Sequence, residues 1–320
     1  MEARIAIEPR DSVSHLSHGG SAILGGRVEI LTSAVEEVGG KVTKPEEANA
    51  LIWLDPKDSS RLISLLNANP DIKWVQLPWA GVEHFLNADV FNHPIVFTSA
   101  KSAYGEQVGE HALTLILACL RHLVEQTRTS EWREIPPESL FRKRITILGA
   151  GGIANTLIAL LKPFDCEVTV LRKTTEPVKN VNKTLSIERL HEVLPHTDIL
   201  VIALALTPET DKIIGTEELK LMNNNSIVIN VARGSHIDTD SLVDAIKNKQ
   251  IGAAGLDVTD PEPLPSDHPL WAFNNVLITS HSGDSPPFVT EALAKRVAVN
   301  VGHFINDEQL EAVVDPKLGY

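Results

Sequence analysis

Arg233, Glu262 and His281 are a guanidinium, a carboxylate and an imidazole, and the runs leading to them have the composition of strands. Ser226-Ile-Val-Ile-Asn-Val-Ala232 leads into Arg233. Ala253-Ala-Gly-Leu256 leads into Asp257, with Glu262 five residues on. Asn275-Val-Leu-Ile-Thr-Ser280 leads into His281. In open α/β sheets ligands lie beyond the carboxyl ends of parallel strands, so these three ends predict one crevice. A guanidinium there can grip a carboxylate, an acid can orient an imidazole, and the imidazole can move a proton. Singly, each residue has an ordinary explanation: a strand-end surface arginine, a loop acid between prolines, a turn histidine. Their order and shared position favour chemistry.

A second cluster suits a phosphate. Arg144-Ile-Thr-Ile-Leu-Gly149-Ala-Gly151-Gly152-Ile153-Ala154 is a short apolar strand followed by a G-x-G-x-x-A turn, and 155–161 continues as an apolar helix. Gly149 permits the tight turn, Gly151 lets the backbone approach a pyrophosphate, and Ala154 allows close helix–strand packing. A pyrophosphate would rest on the helix N-terminus, at Gly152 and Ile153, where N–H groups and the dipole favour anions.

The elements that must position these groups alternate between strand and helix patterns, which predicts an α/β protein with parallel sheets. Strands are expected at 145–148, 168–171, 199–204, 227–231, 253–256 and 276–279, with helices at 187–193, 217–222 and 240–247 between them. This rhythm matches a doubly wound dinucleotide-binding domain. An earlier α/β unit has strand candidates at 4–7, 51–54, 74–77 and 95–98. Long helices at 106–123 and 288–305 bridge the two. The expected architecture is therefore two doubly wound parallel-sheet domains: 1–100 plus 288–320 form one discontinuous domain, and 101–287 form the cofactor domain inserted in it.

The chain's 320 residues suffice for two domains, and its 43% hydrophobic and 22% charged content is ordinary for a globular protein. The net charge of −13 argues against a nucleic-acid partner. Cys119 and Cys166 are too few for a disulfide framework and read as core thiols of a reducing compartment. With neither a signal-peptide pattern nor an apolar run of bilayer length, the expectation is a cytoplasmic protein without a membrane partner. His191 and His196 are five apart with Pro195 between, unlike the four-apart pair of a zinc helix. His84, His93 and His111 have no carboxylate partner at an obvious spacing and read as structural, as do the apolar-strand residues Trp53 and Trp74.

With these motifs in order, the sequence resembles the D-isomer-specific 2-hydroxyacid dehydrogenase family over nearly its whole length. Ile229-Asn-Val-Ala-Arg-Gly234, Gly255-Leu-Asp-Val-Thr-Asp-Pro-Glu-Pro-Leu264 and Ile278-Thr-Ser-His-Ser-Gly283 are similar to the family's arginine, acid and histidine motifs. Leu206-Thr-Pro-Glu-Thr210 and Trp79-Ala-Gly-Val-Glu83 also fit. Ser280 stands where the family usually has proline, and Trp79 where it usually has glycine; an indole there would narrow a substrate pocket.

The resemblance implies a flavodoxin-like substrate domain carrying a Rossmann cofactor domain, and reversible reduction of a 2-oxo acid to a D-2-hydroxy acid by a nicotinamide. It implies that Arg233, Glu262 and His281 are catalytic. Trp79, Ala80 and Gly81 would bind substrate alongside Arg233, and Thr207, Ala232 and Asp257 would join the glycine turn in binding cofactor. It further implies a homodimer through an arm at 122–143. The strand ending at Arg172 and Lys173 lacks the acid that selects a free ribose hydroxyl, which favours NADP(H) over NAD(H). A glyoxylate/hydroxypyruvate reductase is the leading expectation. A short 3-phosphoglycerate dehydrogenase, a reductase of bulkier 2-oxo acids and a cofactor-sensing corepressor of the C-terminal-binding protein type are the alternatives.

Overall fold

The computed structural model describes residues 2–11, 20–86, 89–284 and 286–317. The chain divides into two compact units, Met1–Tyr104 with Ser285–Tyr320, and Gly105–Asp284. In sequence, the second interrupts the first.

Among the described residues of the first unit, β1 (Arg4–Glu8), β2 (Lys41–Val42), β3 (Ala50–Trp53), β4 (Trp74–Gln76) and β5 (Val96–Thr98) pair in parallel. Their order, β2-β1-β3-β4-β5, is that of flavodoxin-like sheets. β3 is buried throughout, so its sequence is a continuous apolar run rather than an alternation. Helices α1 (Gly20–Glu37) and α2 (Ser59–Ala68) connect strands of this sheet. Asp58 caps α2 by accepting from the Arg61 N–H at 2.9 Å. A buried polar chain ties the C-terminal helix Pro286–Asn306 to this unit. Trp74 Nε1 donates to Thr98 Oγ1 at 2.8 Å, and Thr98 donates to Gln76 Oε1 at 2.9 Å. Asn300 Nδ2 donates to that same oxygen at 3.0 Å. These buried polar groups thereby satisfy one another.

In the second unit, β6 (Arg144–Leu148), β7 (Glu167–Arg172), β8 (Lys183–Ser186), β9 (Ile199–Ile202), β10 (Ile227–Asn230), β11 (Ala253–Leu256) and β12 (Val276–Ile278) form a parallel sheet. The order β12-β11-β10-β9-β6-β7-β8 is the Rossmann order extended by one strand. Alternate residues face opposite layers. Ile145, Ile147, Ile199, Val201, Ile227 and Ile229 pack with α3 (Gly105–Leu120) and α5 (Gly152–Leu161). Leu200, Ile202 and Val228 pack instead with α6 (Thr216–Leu221) and α7 (Thr239–Lys247). α3 and α5 approach backbone to backbone: a Cβ on Gly105 would lie 2.6 Å from the Gly152 carbonyl carbon, and one on Gly109 2.7 Å from Thr156.

Several expectations are corrected in detail. The helix expected over 106–123 ends at Leu120 because His122 turns into the left-handed region (φ 50°), and α4 (Leu123–Arg128) starts afresh. The helix expected over 187–193 begins as a 3₁₀ turn, Ile187–Arg189. The edge strands β2 and β8 were not expected, being short and partly solvent-facing. Cys119 is a core thiol, its pKa pushed up to about 12 by burial, whereas Cys166 is only partly buried. Among the described residues, no helix is long and apolar enough to cross a membrane.

Candidate active site

Asp257 follows β11 and is 3% exposed. One carboxylate oxygen accepts from the Thr279 hydroxyl at 2.5 Å and the Ser282 N–H at 2.9 Å; the other accepts from the Gly283 N–H at 3.0 Å. Its backbone carbonyl accepts from the His281 N–H at 2.8 Å. One residue thus wraps the turn after β12 around itself, and His281 takes a left-handed conformation there (φ 51°). Gly283 fits because a side chain would collide: its Cβ would lie 2.9 Å from Asp257 Oδ2. From α3, His111 Nε2 lies 3.2 Å from Asp257 Oδ1 and 3.0 Å from Thr279 Oγ1. Burial alone would raise the Asp257 carboxyl. Hydrogen bonds from His111, Thr279 and Ser282 outweigh it and hold the carboxyl well below the usual range.

Arg233 leaves β10 through Asn230, whose side chain accepts from Ala232 N–H and donates to the Arg233 carbonyl at 2.8 Å. The next residue, Gly234, touches the loop that carries Glu262. A Cβ on Gly234 would lie 2.0 Å from the carbonyl carbon and oxygen of Thr259. Glu262 Oε1 then meets His281 Nδ1 at 2.8 Å, and the Thr259 N–H donates to Glu262 Oε2 at 3.4 Å. The positive charge of Arg233 reaches both partners. The structure therefore brings Arg233, Glu262 and His281 together at three adjacent strand ends.

The hydrogen bond that His281 donates to the Glu262 carboxylate raises the pKa of His281 above its ordinary 6.5, and the same bond lowers that of Glu262 below 4.5. The stability carried by His281 is full below 6.5 and lost as pH rises through its higher folded value. That carried by Glu262 is present above 4.5 and lost as pH falls through its lower folded value. Between those limits the ion pair holds. Nearly half of each side chain is exposed (49% and 43%), so the pair contributes only about 0.2–1 kcal/mol to folding. Its effect is to engage Nδ1, which leaves Nε2 as the ring nitrogen outside the bond.

The glycine turn opens α5. Gly149 has φ 105°, and a Cβ there would lie 2.3 Å from the Ala203 carbonyl oxygen, so only glycine fits. Gly151 is extended at the helix cap. Among the described residues no heavy atom lies within 4 Å of where its Cβ would stand. Gly151 is followed by the first-turn N–H groups of Gly152 and Ile153, which have no intrahelical partner. Arg172 ends β7 and Lys173 follows it; Arg172 reaches Glu176 Oε2 at 3.5 Å, four residues on. The Thr207 N–H donates to Thr210 Oγ1 at 2.8 Å, and Ala232 is buried.

The sequence profile of the D-isomer-specific 2-hydroxyacid dehydrogenase NAD-binding domain matches residues 113–283. A glyoxylate reductase from Thermococcus gammatolerans is 32% identical over 241 residues, which is 72% of this chain and 70% of that one. Two solved structures align over the full length of both chains. A D-isomer-specific 2-hydroxyacid dehydrogenase from Xanthobacter autotrophicus Py2, in complex with NADPH and MES, has a TM-score of 0.82 at 23% identity. An NADPH-dependent glyoxylate/hydroxypyruvate reductase from Sinorhizobium meliloti has a TM-score of 0.79 at 21% identity. The chain belongs to the D-isomer-specific 2-hydroxyacid dehydrogenase family. It is an oxidoreductase of that family with a nicotinamide-binding domain.

The glycine turn fits such a cofactor: the space beside Gly151 and the donor groups at the start of α5 suit a pyrophosphate. In the first unit, Trp79 is half-buried with its ring centroid 6.4 Å from that of His84, Ala80 is exposed and Gly81 is half-buried. His111 has no acid at a spacing visible in the sequence, and the structure shows that it faces Asp257. Residues 111 and 279 are 168 apart in sequence, and no local spacing reports a contact between a helix and two distant strand ends. Sequence reasoning passed over His236, fully buried behind Arg233, whose ring nitrogens face the Arg233 carbonyl at 3.0 Å and the Ala205 carbonyl at 3.3 Å. The carboxyl of Asp284 was missed as well; burial raises its pKa, and the nearby His281 opposes that.

Asp257→Ala strands the N–H groups of Ser282 and Gly283 and removes the acceptor facing His111. Each buried unsatisfied group costs about 1–3 kcal/mol. Urea unfolding of the second unit is expected to lose about 3–5 kcal/mol; a loss below about 1 kcal/mol would show that the turn holds itself without the carboxylate.

Proposed function

We propose that the protein catalyses the reversible reduction of a small 2-oxo acid to a D-2-hydroxy acid, with glyoxylate and hydroxypyruvate as the leading substrates and NADP(H) as the preferred cofactor. The observation that carries the reading is the 2.8 Å contact between His281 Nδ1 and Glu262 Oε1, with Arg233 on the adjoining loop. The glyoxylate reductase relative supports the substrate class.

The bound nicotinamide supplies or accepts the hydride. Arg233 offers a planar fork to the substrate carboxylate and polarises the adjacent carbonyl. Trp79, Ala80 and Gly81 complete the substrate contacts in this reading. His281 donates a proton from Nε2 to the carbonyl oxygen during reduction and takes it back during oxidation. Glu262 fixes the tautomer and favours the imidazolium, so His281 is charged as a proton donor at neutral pH. Gly149, Gly151, Gly152, Ile153, Thr207, Ala232 and Asp257 hold the cofactor. Asp257 would do so while also fixing the turn that bears His281.

The cations Arg172 and Lys173 support NADP(H), since they would face a ribose 2′-phosphate. The contact of Arg172 with Glu176 is at 3.5 Å, and Glu176 is 78% exposed, so it withdraws little of that charge. The reading extends to a homodimer in the cytoplasm. Trp132 is fully exposed on a stretch without regular secondary structure, as an unpartnered arm would be, and both cysteines are free thiols.

His281→Ala is expected to lower kcat for glyoxylate or hydroxypyruvate about 10²–10⁴-fold, while NADPH binding measured by fluorescence survives. Turnover near the wild-type rate would remove His281 from the chemistry. Steady-state comparison of the two cofactors should give a higher kcat/KM for NADPH than for NADH, and Arg172→Ala with Lys173→Ala should reduce that advantage at least tenfold. A clear NADH preference in the wild type would overturn the cofactor assignment.

A further inference from the structure

His236 closes the 3₁₀ turn Gly234–His236 that follows Arg233 in the second unit, and it is fully buried. Its Nδ1 lies 3.0 Å from the Arg233 carbonyl oxygen and its Nε2 lies 3.3 Å from the Ala205 carbonyl oxygen. Carbonyl oxygens only accept, and a neutral imidazole carries a single N–H. The neutral ring therefore satisfies one neighbour, and the shorter contact assigns that proton to Nδ1. Nε2 then sets a lone pair against the Ala205 oxygen, and only the imidazolium donates to both. Burial pulls the pKa of the ring below its ordinary 6.5, and the two carbonyls oppose this; among charged groups, Arg233 adds to the lowering and Asp211 opposes it. The flanking charges of Lys212 and Asp238 bond one another at 2.9 Å. The Ala205 contact also reaches further along its loop. That carbonyl accepts from the Thr210 hydroxyl at 2.8 Å, and the Thr207 N–H donates to the same hydroxyl oxygen at 2.8 Å. Backbone bonds fix the far end of the loop whatever the ring does: Lys212 N–H to the Ser235 carbonyl at 2.7 Å, and Ile214 N–H to the His236 carbonyl at 3.0 Å.

We propose that His236 is a positioning residue shared by two loops: its Nδ1–H holds the turn that carries Arg233, and its Nε2, once protonated, clasps the loop that carries Thr207. The inference rests on the proposed function in giving Thr207 to the cofactor and Arg233 to the oxo acid. His236 touches neither ligand and acts through the two backbone carbonyls. The turn has other support, because the Arg233 carbonyl also accepts from Asn230 Nδ2 at 2.8 Å and from the His236 N–H at 3.2 Å. The clasp at Ala205 is the contact that varies with the state of the ring: open when the ring is neutral, closed as pH falls below 6.5 and Nε2 gains its proton. A closed clasp removes freedom from the loop before the cofactor arrives, so it favours cofactor binding.

Two amides separate the two bonds. In His236→Asn the amide nitrogen takes the place of Nδ1, in His236→Gln it takes the place of Nε2, and neither titrates. His236→Leu fills the space without either donor. Affinities for NADP+ and NAD+ are measured by titration calorimetry at pH 8 and pH 5. Over that fall in pH the wild type should gain about 2–10-fold in cofactor affinity relative to His236→Asn, the worth of one hydrogen bond, and His236→Leu should show no such gain. At pH 8, His236→Gln should bind cofactor more tightly than His236→Asn by a similar factor. The other bond is read in turnover. At pH 8 the KM for glyoxylate or hydroxypyruvate should match the wild type in His236→Asn and rise about 2–10-fold in His236→Leu and His236→Gln, with kcat falling less than KM rises. A space-filling role alone would favour His236→Leu and would not separate the two amides. The inference is overturned if cofactor affinity has the same pH dependence in the wild type and His236→Asn, if His236→Gln binds cofactor no more tightly than His236→Asn at pH 8, or if KM does not separate His236→Asn from His236→Leu. If no 2-oxo acid is turned over, the proposed function fails, and the calorimetric pattern alone decides the inference.

Discussion

The carboxylate of Asp257 accepts hydrogen bonds from Thr279, Ser282 and Gly283, and its carbonyl accepts one from His281. A carboxylate at 3% exposure is tolerable only because such donors replace the water it has lost. The need to satisfy it dictates the path of the chain after β12, including the left-handed turn at His281 and the glycine at 283. His111 completes the shell from α3, so the helix that opens the second unit is tied to the loop that carries the imidazole. The same residue cannot be moved without moving the imidazole.

Close backbone approach provides the other constraint. Gly234 lies against Thr259, which fixes the loop after β10 on the loop after β11. Arg233 and Glu262 are thereby set by one packing contact, and the ion pair of Glu262 with His281 joins the third strand end to the other two. Gly149 and Gly105 do the same work farther along the same carboxyl edge of the sheet, holding the turn after β6 against the Ala203 carbonyl and α3 against the start of α5. The ion pair is too exposed to stabilise the fold much. It is an orienting device supported by a buried scaffold, and this division of labour suits the proton exchange proposed for His281.

Much of this was legible in the sequence. The inner strands of both sheets are buried on both faces, so they announce themselves as short apolar runs, and β9, β10 and β11 were located to within two residues of each end. The glycine turn and the three strand-end groups were visible because their chemistry depends on residue type at fixed local spacing. What escaped was non-local or weakly patterned. β8, Lys-Thr-Leu-Ser, is a half-exposed edge with little apolar signal. The break at His122 depends on a backbone conformation that many residues can adopt. The pairing of His111 with Asp257 exists only once distant segments have packed.

The central claim is that Glu262 holds His281 as a charged proton donor, and the pH dependence of kcat/KM for oxo-acid reduction tests it most directly. In the wild type, activity should fall along a basic limb lying above the ordinary histidine value of 6.5, because the donor is lost when His281 deprotonates. In Glu262→Gln that limb should move to lower pH, since the bond that raises the imidazole pKa is gone. A basic limb at the same pH in both proteins would contradict the account.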